Sequence, residues 1–136
     1  GKEKNNLSYV KKEIKKYKIQ KNVFILGYID QEDLFTFYKK ALMMCFVSFA
    51  GPTNIPPLEA MFLGCPLICS NTYGMPKQVG SGGLLIKPDS SKDIAQKILR
   101  LVNNQALRKK IIKNGFKQYT KFNHKKFNIK FKKLIF

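Results

Sequence analysis

Apolar and polar residues follow two patterns along the chain. In the first pattern, apolar residues recur three or four positions apart among polar ones, which predicts helices at 6–18, after Asp30, at 56–63, after Ser90 and at 106–121. In the second pattern, short continuous apolar runs predict buried strands at 23–26, 42–47, 66–70 and 84–86. Strands that alternate with helices indicate an α/β domain with a mainly parallel sheet.

Polar residues, glycines and prolines predict where several of these elements begin and end. Asp30 and Ser90 can cap helices. The first of these two helices is expected to turn four residues inward, Leu34, Phe37, Tyr38 and Ala41. The second carries apolar residues at helical spacing, Ile94, Ile98, Leu99 and Val102. Pro56 and Pro57 open a helix that Gly64 ends. The Gly-, Pro- and Asn-rich stretch 71–82 is predicted to be mostly loop.

Length and composition narrow the class of protein. The chain has 136 residues, 44% of them hydrophobic and 25% charged, which excludes a disordered tail, a collagen and a coiled-coil rod. The longest apolar run is too short for a transmembrane helix of about 20 residues. The chain opens with Gly1 rather than Met and shows no signal peptide, so it is expected to be a fragment of a longer protein.

The net charge of +18 indicates a polyanionic partner: nucleic acid, an anionic membrane face or a phosphorylated ligand. An ordinary surface coated with lysine, from a lysine-rich proteome, accounts for it equally well. The three cysteines, Cys45, Cys65 and Cys69, are an odd number on apolar segments, so buried free thiols in a reducing cytoplasm are expected. They do not form a four-ligand metal set.

Glu59 is the one acid between Asp33 and Asp89, near the start of a predicted apolar helix. It is either an acid favoured by the helix dipole or a functional carboxylate that needs a hydrogen-bonding partner. The loop before it follows a strand and precedes a helix, where a parallel α/β sheet binds anions such as phosphates or nucleotides. His124 is the single histidine and lies far along the chain, and no Walker A or GxGxxG pattern occurs.

Five segments taken together resemble the C-terminal, donor-binding half of GT-B glycosyltransferases of family 4, the group 1 enzymes. They are residues 22–28 (NVFILGY), 51–61 (GPTNIPPLEAM), 64–70 (GCPLICS), 75–80 (MPKQVG) and 84–89 (LLIKPD). The resemblance implies a Rossmann-like parallel sheet flanked by helices. It also implies retaining transfer of a hexose from a nucleotide-sugar donor, without an obligatory metal or other cofactor, in bacterial-type cell-surface polysaccharide or glycolipid synthesis.

The resemblance also implies roles for particular residues. Glu59 matches the second glutamate of the family motif, which binds the ribose hydroxyls of the nucleotide. Gly51 stands at the catalytic position where the first glutamate, which touches the donor sugar, is usual. Asn54 and Ile55 match the turn whose backbone amides face the donor sugar and phosphates.

Further donor contacts are implied at Pro52 and Thr53 of the same loop, and at Gly27 and Tyr28 beside the nucleobase. In the family, the acceptor domain, two strands and the arginine and lysine that hold the diphosphate lie upstream of the segments matched here. The chain 1–136 is therefore expected to be a partial nucleotide-sugar-binding domain that is inactive alone, with the N-terminal acceptor domain as its missing partner. The resemblance places the two upstream strands between the strands predicted at 23–26 and 42–47.

The C-terminal segment 122–136 is predicted to be a basic helix. Residues 94–136 hold 13 of the 26 basic residues and no acid. The favoured interpretation is the closing helix of the family, which packs its apolar face on the partner domain. An anionic membrane surface is the next candidate partner of this segment, and nucleic acid is not expected. The location that follows is the cytoplasm, with peripheral contact to the inner face of the membrane. The alternatives to a glycosyltransferase are a basic membrane- or nucleic-acid-binding module and an inactive truncated paralogue.

Overall fold

A computed structural model describes residues 6–50 and 54–122. The chain divides into two compact units, residues 1–34 and 35–136. The helices and strands of the described residues are, in chain order, α1 Leu7–Lys16, α2 Gln31–Lys40, β1 Met44–Phe46, α3 Ile55–Leu63, β2 Leu67–Ser70, α4 Met75–Val79, β3 Leu84–Ile86, α5 Ser91–Val102 and α6 Gln105–Tyr119. Two short 3-10 turns, Gly80–Gly82 and Thr120–Phe122, follow α4 and α6.

The sheet of the second unit is parallel and has the order β1-β2-β3. Cys45 lies opposite Ile68, and Ile68 lies opposite Leu84. The central strand β2 is buried at every position, as a strand with neighbours on both sides should be. β1 is shorter than the predicted 42–47 and only partly buried, because it pairs with β2 on one side alone within the described residues.

The hydrophobic core lies between the sheet and the last two long helices. Ile68, Ile86, Leu101 and Ile111 are buried together, and partly buried residues that include Ile94 and Ile98 pack against them. Burial of one such side chain contributes roughly 1.5–3 kcal/mol. The cap predicted at Ser90 is confirmed, because its side chain accepts a hydrogen bond from the Asp93 amide at 3.2 Å.

Two of the apolar residues at helical spacing on α5, Leu99 and Val102, are exposed, whereas Leu101 is fully buried. Ile94, Ile98 and Leu101 follow the i, i+4, i+7 spacing of a narrow apolar stripe, and the two exposed residues lie to one side of that stripe. The inward face of α5 is therefore a narrow stripe.

The predicted inward face of α2 is also partly wrong. Tyr38 is buried and Leu34 is partly buried, but Phe37 and Ala41 are exposed. The cap is confirmed, since an oxygen of the Asp30 carboxylate accepts from the Asp33 amide at 2.8 Å. A helix of ten residues with one buried side chain makes a single main anchoring contact.

Residues 23–26, predicted to be a buried strand, form no strand and are exposed. A strand requires a neighbour for its backbone ladder, and all three strands in the described part of the chain come from residues 44–86. The prediction of a mostly loop stretch at 71–82 is wrong as well, because α4 and a 3-10 turn occupy 75–82. Pro76 lies in the first turn of α4, where proline is tolerated, and Met75 and Val79 are buried.

A close backbone approach joins the 3-10 turn at 80–82 to α6. A Cβ placed on Gly82 would lie 2.6 Å from the Cα of Gly115 and 2.9 Å from the Sδ of Met61. Only a residue without a side chain fits between these atoms, so glycine at position 82 fixes how near α6 comes to the turn. Gly64 ends α3 in the left-handed conformation, with φ of 75°, as predicted.

All three cysteines are free thiols, as predicted, although Cys45 is exposed rather than buried. Burial raises the pKa of Cys65 to about 11 and that of Cys69 to about 12, so both thiols are protonated at neutral pH. Among the described residues, no helix has the length and apolar character needed to cross a membrane. The C-terminal helix predicted at 122–136 lies outside the described residues except for Phe122, in the 3-10 turn that follows α6.

Candidate functional site

The candidate site lies at the carboxyl ends of the parallel strands, where the chain leaves β1 and β2. The Ser48 amide donates to the Oγ of Ser70 at 2.9 Å, and Thr72 Oγ1 donates to the Ser48 carbonyl at 3.2 Å. Ser70 is fully buried at the end of the central strand. These two bonds hold the loop after β1 against the loop after β2.

Asn54 occupies the N-cap position of α3 in the left-handed conformation, with φ and ψ both 44°. Asparagine tolerates this conformation better than other non-glycine residues. The residue is 8% exposed, and its side chain makes no capping hydrogen bond. Its Oδ1 is buried and has no hydrogen-bond partner within the described residues. An unsatisfied buried acceptor costs about 1–3 kcal/mol, so a hydroxyl or amide donor supplied at this point would be stabilised.

The amino end of α3 offers few backbone donors. The helix begins at Ile55, and Pro56 and Pro57 follow it without N–H groups. Of the four amides that a helix N-terminus usually leaves unbonded within the helix, those of Asn54 and Ile55 are the two that remain. The sequence resemblance pointed to the same two amides. The Ile55 side chain is exposed.

Gln78 holds the Asn54 backbone from α4. Its Nε2 donates to the Asn54 carbonyl at 2.9 Å. Gln118 on α6 in turn donates from Nε2 to the carbonyls of Lys77 and Gln78, at 3.0 and 3.1 Å. This amide relay, Gln118 to Gln78 to Asn54, links three helices at the site.

Sequence reasoning missed the relay, because the Gly, Pro and Asn content of residues 71–82 predicts a loop there. A signal was present in the position of Gln78, shortly after a buried strand and thus at the same sheet edge as the loop at 51–56. The partner atom could not have been named from sequence.

Glu59 lies one turn into α3 and is partly buried. The hydroxyl of Tyr38 donates to its Oε2 at 2.9 Å. Burial, the hydrogen bond to Glu59 and the negative charge of that carboxylate all raise the pKa of Tyr38 far above its ordinary value. Tyr38 therefore stays a hydroxyl donor, and it is the partner that the lone carboxylate required. Sequence reasoning placed Tyr38 in the core and not at the site.

The structure brings three of the predicted site residues, Asn54, Ile55 and Glu59, onto the first two turns of α3. Gly51, Pro52 and Thr53 precede them and lie outside the described residues. Gly27 and Tyr28 belong to the first unit. Gly27 has a φ of 70°, which favours glycine, and the Tyr28 side chain is 86% exposed.

The described residues contain no group of three or more His, Cys, Asp or Glu side chains arranged to hold a metal ion. Glu59 is the one acidic residue at this edge within residues 35–86. The chemistry available from the described site is therefore hydrogen bonding to hydroxyls by one carboxylate and one amide oxygen, together with two backbone N–H donors.

Comparison with known proteins finds relatives for most of the chain. Residues 1–118 match the family of glycosyl transferases group 1. O-antigen chain mannosyltransferase B of Escherichia coli is 34% identical over 97 residues, which cover 71% of this chain and 26% of that protein. The chain thus spans about a quarter of the length of that relative.

Two solved structures share the fold. Sucrose-phosphate synthase from Thermosynechococcus elongatus superposes with a TM-score of 0.83 at 26% identity, covering 94% of this chain and 33% of the other. The C-terminal domain of a glycosyl transferase group 1 family protein from Francisella tularensis superposes with a TM-score of 0.76 at 27% identity, covering 87% and 64%. These neighbours and the parallel sheet confirm the predicted α/β fold class of GT-B glycosyltransferases. The chain belongs to the glycosyl transferases group 1 family.

Proposed function

We propose that this chain is the donor-binding half of a retaining glycosyltransferase of family 4 that transfers a hexose from a nucleotide sugar. The observation that carries the proposal is the position of Glu59, a carboxylate held by Tyr38 at the carboxyl edge of a parallel sheet, one turn from Asn54. Likeness to the C-terminal domain from Francisella tularensis supports assignment to the donor-binding half. The acceptor domain would be supplied by a segment upstream of this chain.

The proposed role of Glu59 is to accept hydrogen bonds from the ribose hydroxyls. A carboxylate offers two oxygens, and neighbouring hydroxyls suit a bidentate acceptor. Tyr38 holds Oε2, and Oε1 has no partner among the described residues. The Tyr38 hydroxyl thus fixes the rotation of the carboxylate before the nucleotide arrives, which lowers the entropy cost of binding.

The proposed role of the α3 amino end is to stabilise negative charge on the departing nucleoside diphosphate. The amides of Asn54 and Ile55 and the positive end of the helix dipole act on the phosphates or the donor sugar. Two donors are a weak anion site, so the basic residues that the family carries upstream would supply most of the attraction. Asn54 Oδ1 can accept from a sugar hydroxyl, which would satisfy its buried acceptor.

Gly51 leaves the donor sugar without the carboxylate contact that the family motif provides there. We therefore expect recognition of the sugar to depend on the Asn54 region and on segments outside this chain. The product would be a glycan of a bacterial-type surface polysaccharide or glycolipid, made at the inner face of the membrane. The proposed reaction requires no metal.

The test is calorimetric titration of the chain, extended by its upstream half, with UDP-, GDP- and ADP-sugars. One donor should bind, and Glu59→Gln should weaken it at least tenfold, because hydrogen bonds to a charged acceptor contribute about 1.5–3 kcal/mol each. Glu32→Gln is the matched control, since Glu32 is an exposed acid in the first turn of α2. It should leave the affinity within about twofold.

Two results would count against the proposal. Equal loss of affinity in Glu59→Gln and Glu32→Gln would show that the loss of a negative charge weakens binding and that Glu59 makes no specific contact with the ribose. No binding of any donor would favour the inactive paralogue, in line with Gly51 at the position of the first glutamate.

A further inference from the structure

A shallow cavity, wide open to solvent, lies at the opposite edge of the sheet from the candidate site. It measures about 310 Å³ and is lined by ten residues, of which four are cationic and none is acidic. The cationic residues are Lys39, Lys40, Arg108 and Lys109. Leu42 and Pro66, which also line it, come just before β1 and β2, so the cavity is at the amino ends of the strands.

Three parts of the second unit form this cavity, which we call the basic cavity. The end of α2 and the two residues that follow it form one side, the turn before β2 contributes Gly64 and Pro66, and the first turns of α6 contribute the rest. These elements end or begin at the same edge, which brings four positive charges together from positions far apart in sequence.

The four cations lack acidic partners within the described part of the chain. The ion pairs found there join Lys16 to Glu13 and Lys97 to Asp93, both on other helices. Positive charges that converge on one concave surface without a counter-charge raise the local potential and attract anions. The gain from pairing them with an anion is greater than that from a single exposed lysine.

Arg108 is held in place at the cavity wall. One of its terminal nitrogens donates to the carbonyls of Leu101 and Val102 at the end of α5. A guanidinium has five N–H donors in a fixed plane, and the three that lie outside that nitrogen make no hydrogen bond within the described residues. A planar, anchored guanidinium suits the oxygens of a phosphate better than a flexible ammonium does.

We propose that the basic cavity is a phosphate-binding site, separate from the nucleotide-sugar site at the carboxyl edge. Its ligand is a phosphate group on a small molecule or on the headgroup of an anionic lipid. Arg108 would bind two phosphate oxygens, and the three lysines would neutralise the charge. A site at the amino edge leaves the carboxyl edge open, so both ligands can be bound together.

The test compares two variants with the same loss of charge. Lys39→Gln, Lys40→Gln and Lys109→Gln together remove three charges from the basic cavity. Lys11→Gln, Lys12→Gln and Lys92→Gln together remove three charges from exposed positions on α1 and α5. Arg108 is left unchanged because it also closes the turn between α5 and α6. Circular dichroism establishes that both variants are folded.

The first arm titrates the labelled full chain with inorganic pyrophosphate and follows its backbone amides by NMR. The amides of Gly64 and Arg108 should shift in the unaltered chain and in the control variant. The affinity of the cavity variant should be at least about tenfold lower, since it loses charge-assisted contacts. Shifts that are confined to Asn54 and Ile55, or equal weakening in both variants, would overturn the proposal.

The second arm distinguishes the two sources of phosphate. It measures cosedimentation with phosphatidylcholine vesicles that contain about 30% phosphatidylglycerol. Loss of vesicle binding in the cavity variant alone identifies a lipid headgroup. Equal vesicle binding by the two variants, with the pyrophosphate difference retained, identifies a soluble phosphate compound.

Discussion

The hydrogen bond from Tyr38 to Glu59 joins α2 to α3 and positions one side chain of the candidate site. Tyr38 is the single buried residue of α2, so this contact also anchors that helix. Replacing the tyrosine by phenylalanine removes the donor and leaves the ring in place. A partly buried carboxylate then loses a partner, which is costlier than the loss of a bond between exposed groups.

Tyr38→Phe should lower the free energy of unfolding by about 1–2 kcal/mol, because a hydrogen bond to a charged group is lost. Urea unfolding monitored by circular dichroism measures the change. Tyr73→Phe is the matched control, since the Tyr73 ring is 80% exposed and should cost less than about 0.5 kcal/mol. Equal effects of the two substitutions would show that the Tyr38 hydroxyl does not support Glu59.

The sequence could single out Glu59 because an acid in an apolar helix needs a partner. It could not name Tyr38 as that partner, since helical spacing indicates which side of α2 faces inward but not which atom a hydroxyl meets. Gln78 could not be identified from the sequence as a residue of the site for the same reason. Its contact with Asn54 depends on where α4 lies, and a helix of five residues is too short to show a period.

At the scale of elements, the packing of α6 on the turn at 80–82 depends on two glycines. A Cβ on Gly82 would meet backbone atoms of Gly115, which cannot rotate away as a side chain can. By contrast, a Cβ on Gly74 would meet nothing within 4 Å, and the φ of Gly74 is −76°, which any residue can adopt. Positions 82 and 74 therefore form a matched pair for substitution.

Gly82→Ala should destabilise the protein by about 1–3 kcal/mol through forced separation of α6 from the turn. Gly74→Ala should be neutral or stabilise by about 0.4–1 kcal/mol, because alanine restricts the unfolded chain. Thermal unfolding of the two variants measures both effects. Similar melting temperatures for the two variants would contradict the close approach.

The helices that were predicted best from the sequence are those with long periodic segments or clear caps, such as α1, α5 and α6. The prediction for the stretch 71–82 was wrong because Gly and Pro mark both loops and helix ends, and here Pro76 and Gly80 bound α4. The run 23–26 has strand composition, but a strand depends on a neighbour that composition does not reveal. Short helices and strands thus contain too few residues for a sequence pattern to distinguish them from loops.

At the scale of the whole molecule, alternation of strands and helices was enough to predict the α/β class, and the five ordered segments were enough to predict the family. Burial of the central strand followed from its uninterrupted apolar run. The basic cavity could not be predicted, because its lysines and arginine lie in helices that meet only after folding. Net charge indicated an anionic partner without indicating where it binds.

The buried thiols of Cys65 and Cys69 make the stability of the protein depend on pH in the alkaline range. The pKa of Cys69 rises from 9.0 to about 12 on folding and that of Cys65 rises to about 11, so the folded chain binds more protons than the unfolded chain above pH of about 9. The contribution of these thiols is fully present below pH of about 9 and is lost above it, by up to about 1.4 kcal/mol per pH unit for each thiol. Urea unfolding between pH of about 7 and about 10 measures the slope.

Cys69→Ala is the control for this pH dependence. It should reduce the alkaline slope while costing some stability at neutral pH for the lost sulfur contacts. Cys45→Ala should change the slope less, because the Cys45 thiol is exposed in the folded protein. If the slope of stability against pH is unchanged in Cys69→Ala, other groups cause the loss of stability at alkaline pH.

The contact of Gly82 with Gly115 has a consequence for how this sequence can change over generations. Position 82 cannot gain a side chain while Gly115 and Met61 remain as they are, and a Cβ on Gly115 would lie 3.1 Å from the Cγ of Met61, which would have to shift. A lineage that enlarges position 82 must first displace α6 and Met61, so a substitution there is expected to follow changes at its neighbours. The substitutions that α6 can accept are thus limited by a turn that precedes it in the chain, with all of α5 between them.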